Sequence, residues 1–146
     1  MANELATVSN NTTSLADMSI GTVLINTING DDLEARIAAS NAKSDAESLK
    51  NIGLDVKIAV RNFILTAGVR SRTGETCVDV FLICDDGKVY FSQSGGIARS
   101  AQDFIDAFTD AHGRYTAPCD KGYSFVVRER LTDSGNTVKS LFCVKS

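Results

Sequence analysis

Runs of apolar residues predict that the chain after residue 54 is built from five β-strands. Residues 55–65 alternate between apolar and polar side chains and are rich in β-branched residues. Residues 76–84 form an almost continuous apolar run, which is typical of a buried central strand. An Asp-Asp-Gly segment at 85–87 then favours a tight turn. The predicted strands are 55–65, 76–84, 88–92, 123–131 and 137–144.

Apolar positions three and four residues apart predict a first helix over about 31–42. Acidic residues occupy its first turn, where the helix dipole favours them, and Leu33 and Ile37 share one face. Ser44 and Glu47 then have capping-box spacing, which predicts a second short turn of helix.

A second apolar face predicts a helix over about 101–111. Gly95-Gly96 breaks the strand pattern before it, and Ser100 and Asp103 have the spacing of a capping box. The helix therefore falls between the third and fourth predicted strands.

The order of the predicted elements indicates a mostly β protein of the five-stranded oligonucleotide-binding (OB) barrel type, with a helix between strands 3 and 4 and an N-terminal helical extension. Residues 1–19 are rich in Asn, Thr, Ser and Ala without sustained periodicity, so we expect a flexible arm, followed by a short strand near 21–25. Residues 20–146 are expected to form one domain, the usual size for this length.

The charge is distributed unevenly along the chain. Residues 1–50 hold 7 acidic and 3 basic side chains, and residues 51–146 hold 11 acidic and 12 basic ones, so the net charge of −3 divides into −4 and +1. The second part can therefore carry a local basic surface suited to phosphate, whatever the sign of the total.

Other classes of protein have little support in the sequence. No segment matches a secretion signal or a membrane span, so we expect a cytoplasmic protein without a membrane partner. The four cysteines lack the spacing of a metal knuckle, and the glycines match no nucleotide-phosphate loop, so neither a metal nor another cofactor is expected. Catalysis would have to use His112, the only histidine, in a segment typical of a helix end.

Five short segments between residues 32 and 108 carry a family resemblance. They are Asp32-Leu33-Glu34, Asn41-Ala42, Asp85-Asp86-Gly87, Tyr90-Phe91 and Ser100-Ala101-Gln102. In this order they resemble the small single-stranded DNA-binding proteins of bacteriophages, including those of protein-primed phages. The resemblance implies a non-catalytic protein that coats single-stranded DNA during phage replication in the host cytoplasm, beside other replication proteins.

Single-stranded DNA binding requires cations that follow the phosphates and flat rings on which bases stack. Period-2 spacing gives three pairs of candidates, each pair on one face of a predicted strand. These pairs are Arg61 with Phe63, Lys88 with Tyr90, and Arg128 with Arg130. The same spacing also fits cations that only solubilise a barrel and rings that pack inward, so both interpretations stay open.

Five further candidates lie in or beside loops. Arg70 and Arg72 occupy the loop between the first two strands, and Arg99 precedes the predicted helix, whose free N–H groups attract phosphate. Tyr115 and Tyr123 flank the loop into the fourth strand, where such barrels often bind ligands.

Two rival hypotheses remain at this point. The first is a barrel that binds another protein, as an adaptor or inhibitor, through the acidic residues 31–47 and has no affinity for nucleic acid. The second is a small hydrolase that depends on His112. The sequence also allows a homo-oligomer.

Overall fold

The computed structural model describes residues 15, 18–28 and 32–146, except for the side chains of residues 32, 35, 36, 38 and 39. Its strands are β1 (Val23–Asn26), β2 (Glu47–Ser48), β3 (Val60–Val69), β4 (Thr76–Cys84), β5 (Val89–Ser92), β6 (Tyr123–Leu131) and β7 (Thr137–Lys145). Its helices are α1 (Asp32–Asp45), α2 (Gly95–Ala107) and the 3₁₀ segments Leu49–Asn51 and Pro118–Lys121. None of the described helices is long and apolar enough to span a membrane. The prediction of a mostly β protein is confirmed.

The larger sheet has the strand order β1-β3-β4-β5-β2. β3 and β4 form a long antiparallel pair because both are rich in β-branched and aromatic residues, and β5 adds to β4 through the tight turn at Gly87. β2 lies at one edge and pairs in parallel with β5. β1 covers the other edge by pairing with β3.

β6 and β7 form a separate two-stranded sheet that packs on the same core. Its link to the larger sheet is a bridge between Ile58 and Phe125, whose backbone groups exchange hydrogen bonds of 2.8 Å in both directions. The strands of the described chain therefore form two hydrogen-bonded sheets and no closed barrel.

β3 begins five residues later than predicted. Residues 54 and 55 form a turn in which Asp55 adopts a φ of +62°, so the alternation there belongs to a turn and an approach segment. At its other end β3 continues to Val69, because it pairs with β4 as far as Thr76.

α2 begins six residues earlier than predicted, at Gly95. Ser94 caps the helix by accepting a hydrogen bond from the Ile97 N–H at 3.3 Å. Gly96 allows α2 to approach β7, since a Cβ at this position would collide with the Lys139 carbonyl oxygen and the Val138 side chain. Gly96 thus marks the close packing of α2 on β7, just after the strand pattern has ended at Ser92.

The region after α1 also differs from the predicted helical turn. Ser44 lies inside α1, where its hydroxyl donates to the Ser40 carbonyl, so it caps nothing. The chain instead forms β2 and then a 3₁₀ turn in which Ser48 Oγ accepts from the Lys50 N–H at 3.2 Å. This turn places Lys50 beside the end of β5.

Most of the predicted arm, 1–19, lies outside the described residues. Leu15 and Met18, which are described, pack against the main core.

Candidate nucleic-acid interface

A groove of about 500 Å³ opens beside the loop between β3 and β4. Its walls come from the 3₁₀ turn after β2, the β3–β4 loop, the end of β5 with the start of α2, β6 and β7. These segments are distant in sequence and meet because β5 pairs with both β4 and β2 while α2 packs on β7.

Four cationic side chains line this groove: Lys50, Arg70, Arg72 and Lys139. None of the described lining residues is acidic, although the whole chain carries a net charge of −3. Lys50 and Arg72 are exposed, and Arg70 and Lys139 are half-buried. A concave surface with charge of one sign attracts counter-ions of the other, so this groove favours an anion.

The interior of the groove is apolar. Its apolar lining consists of Leu49, Ile52, Leu54, Phe91, Ile97 and Val127. Phe91 is half-buried, and its ring centroid lies 5.3 Å from that of Phe81 at an interplanar angle of 41°. A flat, partly accessible ring beside cations is the arrangement on which a nucleic-acid base stacks.

The β3–β4 loop holds its two arginines through backbone hydrogen bonds. The Arg70 N–H donates to the Glu75 carbonyl at 2.9 Å, and the Gly74 N–H donates to the Arg70 carbonyl at 2.8 Å. Gly74 adopts a φ of +72°, which a residue with a side chain rarely does. Arg70 and Arg72 are therefore carried on a compact, closed loop.

Arg61 lies outside the groove, in an ion-pair cluster. Its Nη2 is 2.6 Å from Asp85 Oδ1 and 2.9 Å from Asp120 Oδ1. These hydrogen bonds raise the pKa of Arg61, Asp120 being the larger cause and Asp85 the second. The structure thus places Arg61 between two carboxylates and outside the groove lining, and its contact with DNA stays a prediction.

Phe63 belongs to the core and not to a binding face. The residue is fully buried, and its ring packs edge-on against Phe125 at a centroid distance of 5.6 Å. The pairing of β3 with β4 shifts register between Val60 and Asn62, so Arg61 sits at a bulge. A bulge breaks the period-2 alternation, which is why Arg61 and Phe63 do not share a face.

Tyr90 and Lys88 do not share an exposed face either. Tyr90 is 5% exposed in the main core, where burial raises the pKa of its hydroxyl. Lys88 is exposed in the turn before β5, and its N–H donates to Asp86 Oδ1 at 3.0 Å. The flat side chain that reaches the groove from β5 is Phe91, the neighbour of Tyr90.

Arg128 and Arg130 are exposed on β6, away from the groove lining. Arg128 Nε donates to Asp55 Oδ1 at 2.7 Å, and its guanidinium carbon lies 5.1 Å from the centroid of the Phe142 ring. Tyr123 is half-buried at the start of β6, with Lys145 Nζ 5.3 Å from its ring centroid. Arg128 and Tyr123 therefore form contacts within the β6–β7 sheet, and Arg128 also contacts the segment before β3.

Arg99 and Tyr115 also lie outside the groove lining. Arg99 is exposed in the second turn of α2, so it does not stand at the helix N-terminus, where the prediction placed it. The half-buried Tyr115 donates its hydroxyl proton to the Arg61 carbonyl at 3.1 Å, and burial raises its pKa. His112, on which the hydrolase hypothesis depends, is exposed in a loop.

Sequence reasoning missed three groove residues: Lys50, Phe91 and Lys139. Lys139 had a usable signal, since period-2 spacing puts it on the same face of β7 as the buried Leu141. Lys50 had none, because its place depends on a parallel pairing with a strand about forty residues away.

The part of the chain that the structure describes contains no group of three or more His, Cys, Asp or Glu side chains able to hold a metal ion.

Comparison with known proteins gives one family. The family model described as phage single-stranded DNA-binding protein, of the phi29 type, matches residues 18–141. No curated protein and no solved structure is significantly similar to the chain. The matched residues include every strand except the end of β7, both helices and all the groove residues. The chain therefore belongs to the family of phage single-stranded DNA-binding proteins.

Proposed function

We propose that the groove is the site at which this protein holds single-stranded DNA, without strong sequence preference. The observation that carries the proposal is the combination of four cations, no acidic described residue and a partly exposed aromatic ring in one groove. Phosphates pair with Lys50, Arg70, Arg72 and Lys139, while a base stacks on Phe91. Stacking of this kind is worth about 1–3 kcal/mol per base and tolerates any base.

The second element of the proposal is that the two sheets form the halves of a partly open OB-type barrel. The Ile58–Phe125 bridge and a 3.0 Å hydrogen bond from the Asp55 N–H to the Val127 carbonyl support it, because they join the approach to β3 to β6. A shared hydrophobic core beneath both sheets supports it as well. Barrels of this type bind oligonucleotides on strands 2–3 and the adjoining loops, which correspond here to β4, β5 and the β3–β4 loop.

The proposed role is to coat and protect strands displaced during phage DNA replication in the host cytoplasm, together with other replication proteins. A protein with this role follows the DNA backbone and does no chemistry on it. Because counterions leave the DNA when lysines and arginines neutralise its phosphates, the affinity falls steeply with salt.

The test compares two double charge reversals of equal size by fluorescence anisotropy with labelled oligo-dT. Arg70→Glu with Arg72→Glu reverses two groove cations, and Lys88→Glu with Arg99→Glu reverses two exposed cations outside it. We expect the first pair to lower affinity by roughly a hundredfold at low salt and the second by at most about threefold. A duplex of matching sequence should bind more weakly than the single strand.

Equal losses from the two double variants would contradict the groove as the site, since they would indicate attraction to overall charge. A wild-type protein that fails to bind oligo-dT even at low salt would favour a barrel that binds another protein.

A further inference from the structure

Gln93, the first residue after β5, lines the groove with an amide group whose orientation is fixed. Its Nε2 donates to Asp79 Oδ1 at 2.9 Å and to the Val69 carbonyl at 3.2 Å. An ionised carboxylate and a carbonyl only accept hydrogen bonds, so the nitrogen and not the oxygen of the amide must face them. Both amide hydrogens are therefore used within the protein.

The Asp79 carboxylate is itself held in place. Cys77 Sγ donates to Asp79 Oδ1 at 3.7 Å, and Asp79 pairs with Thr66 across β3 and β4. A Cβ on Gly68 would collide with all three atoms of the Asp79 carboxylate, so the glycine supplies the space that this group occupies. The anchor for Gln93 is thus built from the two longest neighbouring strands.

The other end of the Gln93 amide is open. No described residue donates a hydrogen bond to Gln93 Oε1, and this oxygen is not among the buried atoms that lack a partner. It is therefore reachable from outside, in a residue that forms part of the groove lining. The Gln93 amide therefore offers Oε1 as a hydrogen-bond acceptor in the groove wall. Turning the amide so that Nε2 takes its place would break two hydrogen bonds.

We propose that Gln93 reads the exocyclic amino group of a base and gives the groove a modest preference for cytosine over thymine. The inference rests on the proposed binding of single-stranded DNA in this groove. Cytosine offers an N4 amino donor where thymine offers the O4 acceptor, which repels Oε1. The N3–H of thymine is a donor, but carbonyl oxygens flank it on both sides. The chemistry is a single hydrogen bond, so we expect about a two- to tenfold difference in affinity.

The measurement is the ratio of affinities for oligo-dC and oligo-dT of equal length, because both are pyrimidines and stack through rings of the same size. We expect Gln93→Leu, which keeps the side-chain volume but removes the acceptor, to bring the wild-type ratio close to one.

Arg72→Gln is the matched control, since loss of a phosphate contact should weaken both oligonucleotides equally and leave the ratio unchanged. A modified oligo-dC in which the 4-amino group is replaced by hydrogen tests the unaltered protein, so the result does not depend on the folding of any variant. The inference is overturned if Gln93→Leu keeps the wild-type ratio or if the modified oligo-dC binds as well as oligo-dC. Failure of the wild-type protein to bind either strand would overturn the proposed function as well, and this outcome is distinct from binding without a preference.

Discussion

Four arginines of this protein occupy two opposite electrostatic settings. Arg61 sits between Asp85 and Asp120, and Arg128 is paired with Asp55. Arg70 and Arg72 line a groove without an acidic described residue and take part in none of the ion pairs among the described residues. The same residue type therefore joins elements of the fold in one place and faces a concave surface in the other.

The comparison shows why the pattern along a strand could not separate these roles. Asp85 and Asp120 lie 24 and 59 residues from Arg61, and Asp55 lies 73 residues from Arg128. An ion pair with a partner at that separation exists only once the fold has formed. What distinguishes the groove cations is that no described residue of the groove lining is acidic, which is a property of the surface and not of the local sequence.

Among substitutions that neutralise a charge, the largest expected effect concerns the groove lysines, which extend the comparison beyond arginine. We expect Lys50→Gln with Lys139→Gln to lower the affinity for single-stranded DNA by roughly tenfold at low salt, because two phosphates lose their partners. The plot of log affinity against log salt should become shallower by about 1.4, since each phosphate contact on a single strand contributes about 0.7. Titrations at several salt concentrations measure both quantities.

The matched control for this prediction is Lys57→Gln with Lys121→Gln, which removes the same charge from two exposed lysines outside the groove lining. Its salt slope should equal that of the wild type. A control that flattens the slope as much as the groove variant would show that the division into two settings has no bearing on DNA binding.

The fold was predicted best where the local sequence of a strand is enough to define its bounds. The predicted bounds of β4 and β6 agree with the structure, because each begins and ends at a polar turn. The errors fall where a contact between elements decides the outcome. Gly96 lies within α2 because the helix must approach the Lys139 carbonyl, and no local pattern carries that information.

The candidate groove was predictable only in its loop. A loop between two strands exposes its side chains, which predicts accessible positions for Arg70 and Arg72, and both line the groove. The prediction that Arg61 and Phe63 share one face was wrong, because the bulge at Arg61 interrupts the alternation of the strand. Lys50 and Phe91 come together through the pairing of β2 with β5, a contact between distant segments.

A smaller effect is expected on thermal stability, which should depend on Arg61 and not on Arg72. Arg61→Gln leaves Asp85 and Asp120 facing each other without a cation and disconnects β3 from the turn before β5 and from the 3₁₀ segment before β6. We expect the Tm to fall by roughly a few degrees, because all three side chains are partly exposed and solvent screens their interactions. Affinity for single-stranded DNA should change little.

Arg72→Gln is the reciprocal variant, with weaker DNA binding and an unchanged Tm. Thermal melting and anisotropy titration of Arg61→Gln and Arg72→Gln measure the Tm and the DNA affinity of each variant. An Arg61 variant that melts like the wild type but binds DNA poorly would return Arg61 to the binding surface.

The smallest expected effect is a dependence of the free energy of unfolding on pH. It arises from the ion-pair cluster of Arg61, Asp85 and Asp120. The hydrogen bonds from Arg61 hold the pKa of Asp120 below its ordinary value. A carboxyl whose pKa is lower in the folded state contributes stability above the unfolded pKa, about 3.9, and loses that contribution as the pH falls through the folded pKa. The difference in free energy of unfolding between the wild type and Asp120→Asn should therefore shrink as the pH falls from about 5 to about 3.

Urea unfolding at a series of pH values measures this difference, with Asp133→Asn in the exposed β6–β7 turn as the control. Asp133 belongs to none of the ion pairs of the described residues, so its substitution should produce a small difference that does not follow the same course. The groove should be insensitive to the substitution of Asp120, because its cations are positioned by the loop backbone and by the β2–β5 pairing. Loss of DNA affinity in Asp120→Asn at neutral pH would mean that the ion-pair cluster also shapes the groove, and that the two settings are coupled through β3.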